Sequence, residues 1–252
     1  MRLAITPDGK WGYPTGELVS AASDAGFGAL GISGDRVDEA AARAYAAAGL
    51  DCHEVLALVF GDNEKATLRA AERLATAADT VSAAWVLTVF TTPVTAQLTD
   101  ALRRCAALFG DAGAGMAVEF SPLGPVGSIP DAMTIVRAAR GGGRAGLLID
   151  SWHFCFGPST WDDLAAVSPD DIAYVQFTDA LAPESGRLMR ETLHRRALPG
   201  DGVLELDRFA ATLLETGWDG IVSVEVLNAE LRTLPADVLV RRIRDSAAPF
   251  WR

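Results

Sequence analysis

Glu119, Asp150, Gln176 and Glu225 each stand near the carboxyl end of a separate apolar, β-rich run: GMAVEF, AGLLID, IAYVQF and GIVSVEV. If these runs are parallel strands of one barrel, four oxygen-bearing side chains converge on one point, and three of them are acidic. Carboxylates crowded without neutralisation into a partly dry cleft repel one another by roughly several kcal/mol. A cation or strongly raised pKa values must therefore hold the group together, and a divalent metal is the simpler answer. Hard oxygen donors suit Mn2+, Mg2+ or Co2+ better than a thiolate-seeking metal, and Zn2+ is also compatible. Taken singly, a carboxylate at a strand end is equally well explained as a helix N-cap or as the partner of an arginine. The joint case is stronger, because strands five to eight each supply one candidate at an equivalent position.

Asp150 is followed by Ser151-Trp152-His153. This spacing sets an imidazole just beyond the proposed ion, where it can hydrogen-bond a substrate oxygen or move a proton. His53 and the adjacent Glu54 read as a pair of core or supporting polar groups, and His194 falls in a long loop as a candidate exposed residue. That loop ends in Arg195-Arg196-Ala197-Leu198-Pro199-Gly200-Asp201-Gly202, a turn-rich segment able to aim Arg196 into the cleft toward an anionic substrate oxygen. Asn228 and Arg232, just after the eighth strand, are candidates for the same anion or for capping the last helix.

Such a site needs a frame that brings strand ends together. Short β-rich runs alternate with longer Ala/Leu/Arg-rich stretches of helical periodicity, eight times over, which predicts a single (β/α)8 barrel across residues 1–252. The patterning predicts strands over Leu3–Thr6, Ala29–Ile32, Asp51–Leu58, Ala84–Phe90, Met116–Phe120, Gly146–Asp150, Ile172–Thr178 and Ile221–Val226. It predicts helices over Gly16–Ala25, Val37–Ala48, Asn63–Ala78, Val94–Phe109, Ile129–Arg140, Trp161–Val167, Leu206–Thr216 and Ala236–Ala247. Ser128-Ile129-Pro130-Asp131 is a helix start. Gly141-Gly142-Gly143 and Gly217 are expected to end helices in the left-handed conformation. The longest irregular stretch, Asp179–Asp201, lies on the side of the barrel where βα loops build active sites.

Composition narrows the field. With 22 basic residues against 33 acidic ones, a net charge of −11 disfavours nucleic acid and anionic membrane surfaces and leaves a small molecule as the expected partner. The first residues, MRLAITPDGK, contain no apolar leader, and no stretch approaches a membrane span, so a soluble, cytoplasmic chain is expected. Cys52, Cys105 and Cys155 form no CxxC pair and read as buried free thiols. A Schiff-base aldolase needs a lysine at a strand end, yet Lys10 and Lys65 fall in a loop and on a helix. No GxGxxG follows a strand; GDAGAG at 110–115 precedes one. Trp161 and Trp251 are candidates for an exposed contact between copies in a homo-oligomer.

The runs VEF, LIDSWH, YVQFTDA, RRALPGDG and SVEVLN, in this order and spacing, resemble the xylose-isomerase-like TIM barrels. That superfamily includes sugar isomerases and epimerases, inosose and 3-dehydroshikimate dehydratases, and endonuclease IV. The resemblance covers residues 115–232. It implies metal ligation by Glu119, Asp150, Gln176 and Glu225, with His153 and Arg196 contacting substrate. Many members carry histidine in place of Gln176, and glutamine there is closer to the dehydroshikimate-dehydratase branch. Many also end strand two with glutamate, where this chain reads Gly28-Ala29-Leu30-Gly31-Ile32-Ser33. The shared chemistry is enolisation, with Glu119 and Glu225 as proton carriers and the metal as Lewis acid. The first expectation is an isomerase or epimerase of a small ketose, keto-polyol or keto-cyclitol. A dehydratase, with His153 as the acid, is the alternative, and a catalytically inactive barrel serving as a binding subunit is the other. The absence of a Gly-rich phosphate site after strands seven and eight favours a non-phosphorylated substrate.

Overall fold

In the computed structural model, which describes residues 1–251, eight parallel strands close into a barrel. They are β1 (Arg2–Ile5), β2 (Ala29–Ser33), β3 (Asp51–Phe60), β4 (Trp85–Phe90), β5 (Gly115–Glu119), β6 (Ala145–Asp150), β7 (Ile172–Phe177) and β8 (Ile221–Val224). Each strand pairs with its neighbours in sequence, and β1 closes on β8 through Arg2 opposite Ile221 to Ile5 opposite Val224. The helices are α1 (Thr15–Asp24), α2 (Glu39–Ala48), α3 (Glu64–Thr80), α4 (Thr99–Asp111), α5 (Ile129–Ala139), α6 (Ser151–Phe156), α7 (Trp161–Ala165), α8 (Leu188–His194), α9 (Leu206–Glu215) and α10 (Ala236–Ala247). None of them is long and apolar enough to cross a membrane.

Two apolar layers follow from the two faces of the strands. The larger lies between sheet and helices; the smaller fills the barrel lumen with Leu87, Ala117, Leu148 and Tyr174. Side chains alternate along a strand, so residues two positions further on face the same lumen one layer higher. Glu119 stands above Ala117, Asp150 above Leu148 and Gln176 above Tyr174, which is how an apolar plug comes to carry a polar mouth.

Local chemistry explains most helix ends. Ser128 Oγ accepts from Asp131 N–H at 3.3 Å, with proline in the first turn of α5, and Gly217 is left-handed at φ 83° after α9, both as expected. Gly141, Gly142 and Gly143 differ from expectation, since none has a positive φ. A Cβ on Gly142 would collide with the Arg103 carbonyl, and one on Gly143 with that of Ala106. These glycines let α4 and the end of α5 approach closely. Helix α4 begins at Thr99 rather than Val94.

Two short helices were absent from the sequence reading. Helix α6 starts directly at the end of β6, because Asp150 Oδ1 accepts from Trp152 N–H at 2.6 Å and His153 N–H at 3.2 Å. The stretch after β7, expected to be irregular, contains α8 and a two-residue antiparallel ladder joining Asp179–Ala180 to Arg196–Ala197. Asp179 is buried and ties this segment down: its carboxylate accepts from the N–H groups of Ala180, Gly200, Gly202 and Leu204 at 2.8 to 3.1 Å. The PGDG turn is thereby caged, and the ladder delivers Arg196 inward.

The cysteines are free, as expected; Cys52 and Cys105 are buried as expected too, whereas Cys155 is only half-buried. Trp251 is not an exposed aromatic: it is 7% exposed and packs against Phe177 and Trp218. Trp161 is half-buried, covered by Phe154 and by the Arg208 guanidinium 4.1 Å above its ring. Neither offers a free contact between copies.

Candidate active site at the carboxyl end of the barrel

Glu119, Asp150, Gln176 and Glu225 converge at the carboxyl mouth of the barrel, supplied by β5, β6, β7 and the residue just past β8. Asp150 and Gln176 are fully buried; Glu119 and Glu225 keep 10% and 13% of their side-chain exposure and face a cavity of about 430 Å³. Ser121, His153, Thr192 and Arg196 line the same cavity. Among the described residues, Glu119, Asp150 and His153 offer donor atoms that all lie within 4.8 Å of one another. Glu225 is outside that tight set, and the Arg196 guanidinium bridges it to the others: Nη1 is 2.7 Å from Asp150 Oδ2 and 3.0 Å from Glu225 Oε2.

Asp150 thus fulfils both ordinary explanations of a strand-end acid at once. One oxygen caps α6 and the other pairs with an arginine. Arg196 is almost completely buried, donates through Nε and Nη2 to Thr192 Oγ1, and lies 5.5 Å from the centre of the Trp152 ring. Asn228 and Arg232 do not line the cavity; they hold the segment that carries Arg196. Asn228 Nδ2 donates to the Arg196 carbonyl at 2.7 Å, while Arg232 bonds Asp8, the Leu193 carbonyl and His194 Nδ1. His194 is accordingly half-buried at the end of α8, not free in solvent.

Proton affinities follow from burial and this charge pattern. Burial, then Glu225 and Asp150, push Glu119 well above the usual carboxylate range. Burial raises Glu225 to about 8 despite the opposing pull of Arg196. Burial would raise Asp150 too, but the Arg196 guanidinium and the backbone N–H of His153 outweigh it and hold Asp150 below its ordinary value. Burial holds His153 down at about 4, so its imidazole is neutral near pH 7, with Nε2 3.6 Å from Glu119 Oε1 and Nδ1 3.3 Å from Ser121 Oγ.

With the acids ionised, the charge count is three carboxylates (Glu119, Asp150, Glu225) against one guanidinium (Arg196), a balance of −2 among these four groups. A divalent cation cancels that balance, so the donor set fits one. The Gln176 amide fits it too. Its oxygen faces Asp150 Oδ2 and Glu119 Oε1 at 3.3 Å each, while its nitrogen donates to Thr6 Oγ1 at 3.3 Å. Turned over, the amide would donate to both acids instead. Thr6 opposes that turn: its one hydroxyl proton goes to Glu54 Oε1 at 2.5 Å, leaving two lone pairs for Ser223 Oγ at 2.7 Å and for the Gln176 N–H.

Glu54 is buried supporting polarity, as expected, whereas Thr6, Tyr174 and Ser223, which surround it and Gln176, are the environment that the sequence patterning does not reveal. Tyr174 donates to the other Glu54 oxygen, and His53 Nε2 lies 3.2 Å from Oε1. His53 is core polarity, as expected, sealed at 0% exposure edge-on to Tyr174. Gly31 makes room for Glu54, since a Cβ there would stand 2.6 Å from its Oε1. The signal lay in the period of two: Tyr174 and Ser223 precede Gln176 and Glu225 by two residues on the same strands.

The Xylose isomerase-like TIM barrel family model matches residues 10–246. An inosose isomerase of Halalkalibacterium halodurans is 31% identical over 136 residues, 53% of this chain and 47% of that protein. The chain spans about half the length of the inosose isomerases it matches. A 3-dehydroshikimate dehydratase of Pseudomonas putida is 30% identical over 92 residues, 36% of this chain and 14% of that protein. Among solved structures, the IOLI protein with a binding zinc atom superposes with a TM-score of 0.82 at 20% identity, over 99% of this chain and 98% of that one. Barrel closure, the run of strand-end acids and the match over nearly the whole chain lead to one conclusion: this chain belongs to the xylose isomerase-like TIM barrel family.

Proposed function

We propose that this barrel is a divalent-metal-dependent isomerase or epimerase that works by enolising a small hydroxyketone. The observation that carries this reading is the gathering of Glu119, Asp150 and His153 donor atoms within 4.8 Å of one another, with Arg196 joining Asp150 to Glu225. Inosose isomerases among the relatives and the zinc atom of the IOLI protein support the same chemistry. Glu119, Asp150, Gln176 and Glu225 would hold the ion, with His153 within reach of the first two. A divalent cation bound there supplies Lewis acidity to a substrate carbonyl and its neighbouring hydroxyl.

The chain's own residues supply the proton chemistry. Glu119 and Glu225 reach the cavity from well-separated strands, β5 and the end of β8, so one takes the α-proton from the substrate and the other returns it. Return to the same carbon from the opposite face gives an epimer; return to the adjacent carbon gives an aldose–ketose interconversion. Arg196 stabilises the negative oxygen that develops, fixed in advance by Thr192 and Trp152. His153, neutral near pH 7, orients a substrate oxygen through a hydrogen bond. Dehydration would ask this imidazole to protonate a departing hydroxyl. The dehydroshikimate-dehydratase relative keeps that reaction as the second reading.

The test is proton exchange. Candidate hydroxyketones incubated in D2O with the Mn2+-loaded protein are expected to gain deuterium at the α-carbon, and the protein to retain about one equivalent of metal. Water loss without exchange into recovered substrate would favour the lyase, and no retained metal would favour a binding module.

The Thr6 relay adds an expectation of its own. Thr6→Val keeps the shape and removes the acceptor that orients the Gln176 amide, so Mn2+ affinity measured by calorimetry should fall by roughly 10- to 100-fold. Thr6→Ser should restore most of it, and unchanged affinity in the valine variant would remove the amide oxygen from the ligand set.

A further inference from the structure

Polarity in the cavity is one-sided. Every titratable group lining it, Glu119, His153, Arg196 and Glu225, comes from β5, the start of α6, the Arg196 ladder or the end of β8. The opposite wall, from β3 and β4, presents Leu56, Leu87 and Val89, and the mouth is framed by Leu123, Met189 and Leu227. Leu123 is 36% and Met189 52% exposed, among the most exposed large apolar side chains of the molecule. The remaining polar liners offer little. Thr192 accepts two bonds from Arg196 and keeps one hydroxyl proton to donate on that same side, and Ser121 sits beside His153, also on the charged side.

A polyol filling this space would turn hydroxyls toward leucine and valine. Each hydroxyl buried without a partner weakens binding by roughly tenfold or more, whereas an apolar surface laid on the same wall gains affinity. Such discrimination is asymmetric: a site lacking polar partners penalises each extra hydroxyl, and the penalties accumulate. From this we infer that the substrate is a hydroxyketone or hydroxyaldehyde with one polar, enolisable end and an apolar body, alicyclic, aromatic or short alkyl, rather than an open-chain ketose or a fully hydroxylated ring. The polar end meets Glu119, Glu225 and Arg196; the apolar body lies against β3 and β4 and covers Leu123 and Met189. This inference rests on the enolisation reading for its reactive end and on the cavity wall for the rest.

Two probes share one ring and one reactive end: 2-hydroxycyclohexanone and scyllo-inosose, which adds hydroxyls around the remaining ring carbons. Calorimetric titration of the Mn2+-loaded protein is expected to give at least about tenfold tighter binding of 2-hydroxycyclohexanone. Equal or tighter binding of scyllo-inosose overturns the inference. Leu56→Gln places an amide on the apolar wall outside the charged machinery, and should shrink the preference by about tenfold while the melting curve reports the fold. An unchanged preference in a folded Leu56→Gln variant counts against that wall. Parallel incubation of both ketones in D2O separates the two layers of the reading. Preferred binding of 2-hydroxycyclohexanone without exchange in either ketone upholds the substrate class and sinks enolisation; exchange confined to scyllo-inosose does the reverse.

Discussion

Glu225→Gln is expected to lower turnover by about a thousandfold while leaving the barrel folded. General acid–base groups typically contribute about 10²- to 10⁴-fold, and Glu225 is placed to be one of the two proton carriers. Glutamine matches its shape, and the amide oxygen can still accept from Arg196 Nη1, which stands 3.0 Å from Oε2. What the amide cannot do is hold and release a proton. Near-normal turnover, with far-ultraviolet circular dichroism unchanged, would remove Glu225 from the mechanism.

Arg196→Met should have the largest effect on stability. The guanidinium is the sole charge partner that reaches both Asp150 and Glu225 among the hydrogen bonds and ion pairs of the described residues. Removing one partner of a buried ionic cluster leaves uncompensated charge and typically costs about 3–5 kcal/mol. Methionine retains much of the volume, so packing loss is small. Denaturant unfolding of the metal-free variant near pH 8 should therefore show a markedly lower midpoint than wild type, with part of the loss recovered on adding Mn2+.

The pH dependence of the metal-free wild type tests the same electrostatics. Glu225, held by burial at about 8, keeps its proton in the folded state where the unfolded chain has released it. The folded state then binds more protons than the unfolded one, so stability falls as pH rises. The contribution is complete below the unfolded carboxylate range near 4.5 and is lost as pH climbs through about 8. Glu119, shifted in the same direction, deepens the slope. A bound divalent cation takes the place of the protons and should flatten it.

The fold was legible because eight strands and the longer helices carry periodicity strong enough to be read without tertiary context. The acids were legible for a related reason, since each ends a run whose alternation fixes which side chains face the lumen. Helix α6 escaped because six residues leave too little period to detect, and the cap that starts it, Asp150, was already read as a ligand. Asp179 escaped because its four N–H partners lie beside it in sequence or some twenty residues away, in a turn whose shape no local pattern specifies. The glycine run after α5 looks like a left-handed helix end in sequence, but its use is close helix contact, a property of α4 that the glycines themselves do not display. Glu54 is the instructive case. A buried acid in a strand looks like an error of pattern until Gly31 on β2 and the hydroxyls of Thr6 and Tyr174 are brought to it across the barrel.

The gathering of Glu119, Asp150, Gln176 and Glu225 around one ion is tested most directly by diffraction from Mn2+-loaded crystals at a wavelength where manganese scatters anomalously. A single strong peak is expected among these four side chains, with ligand oxygens at about 2.0–2.4 Å and the Gln176 oxygen turned toward the metal. A map with no peak there, in which Arg196 alone bridges the carboxylates and the Gln176 nitrogen donates to both Asp150 and Glu119, would contradict it.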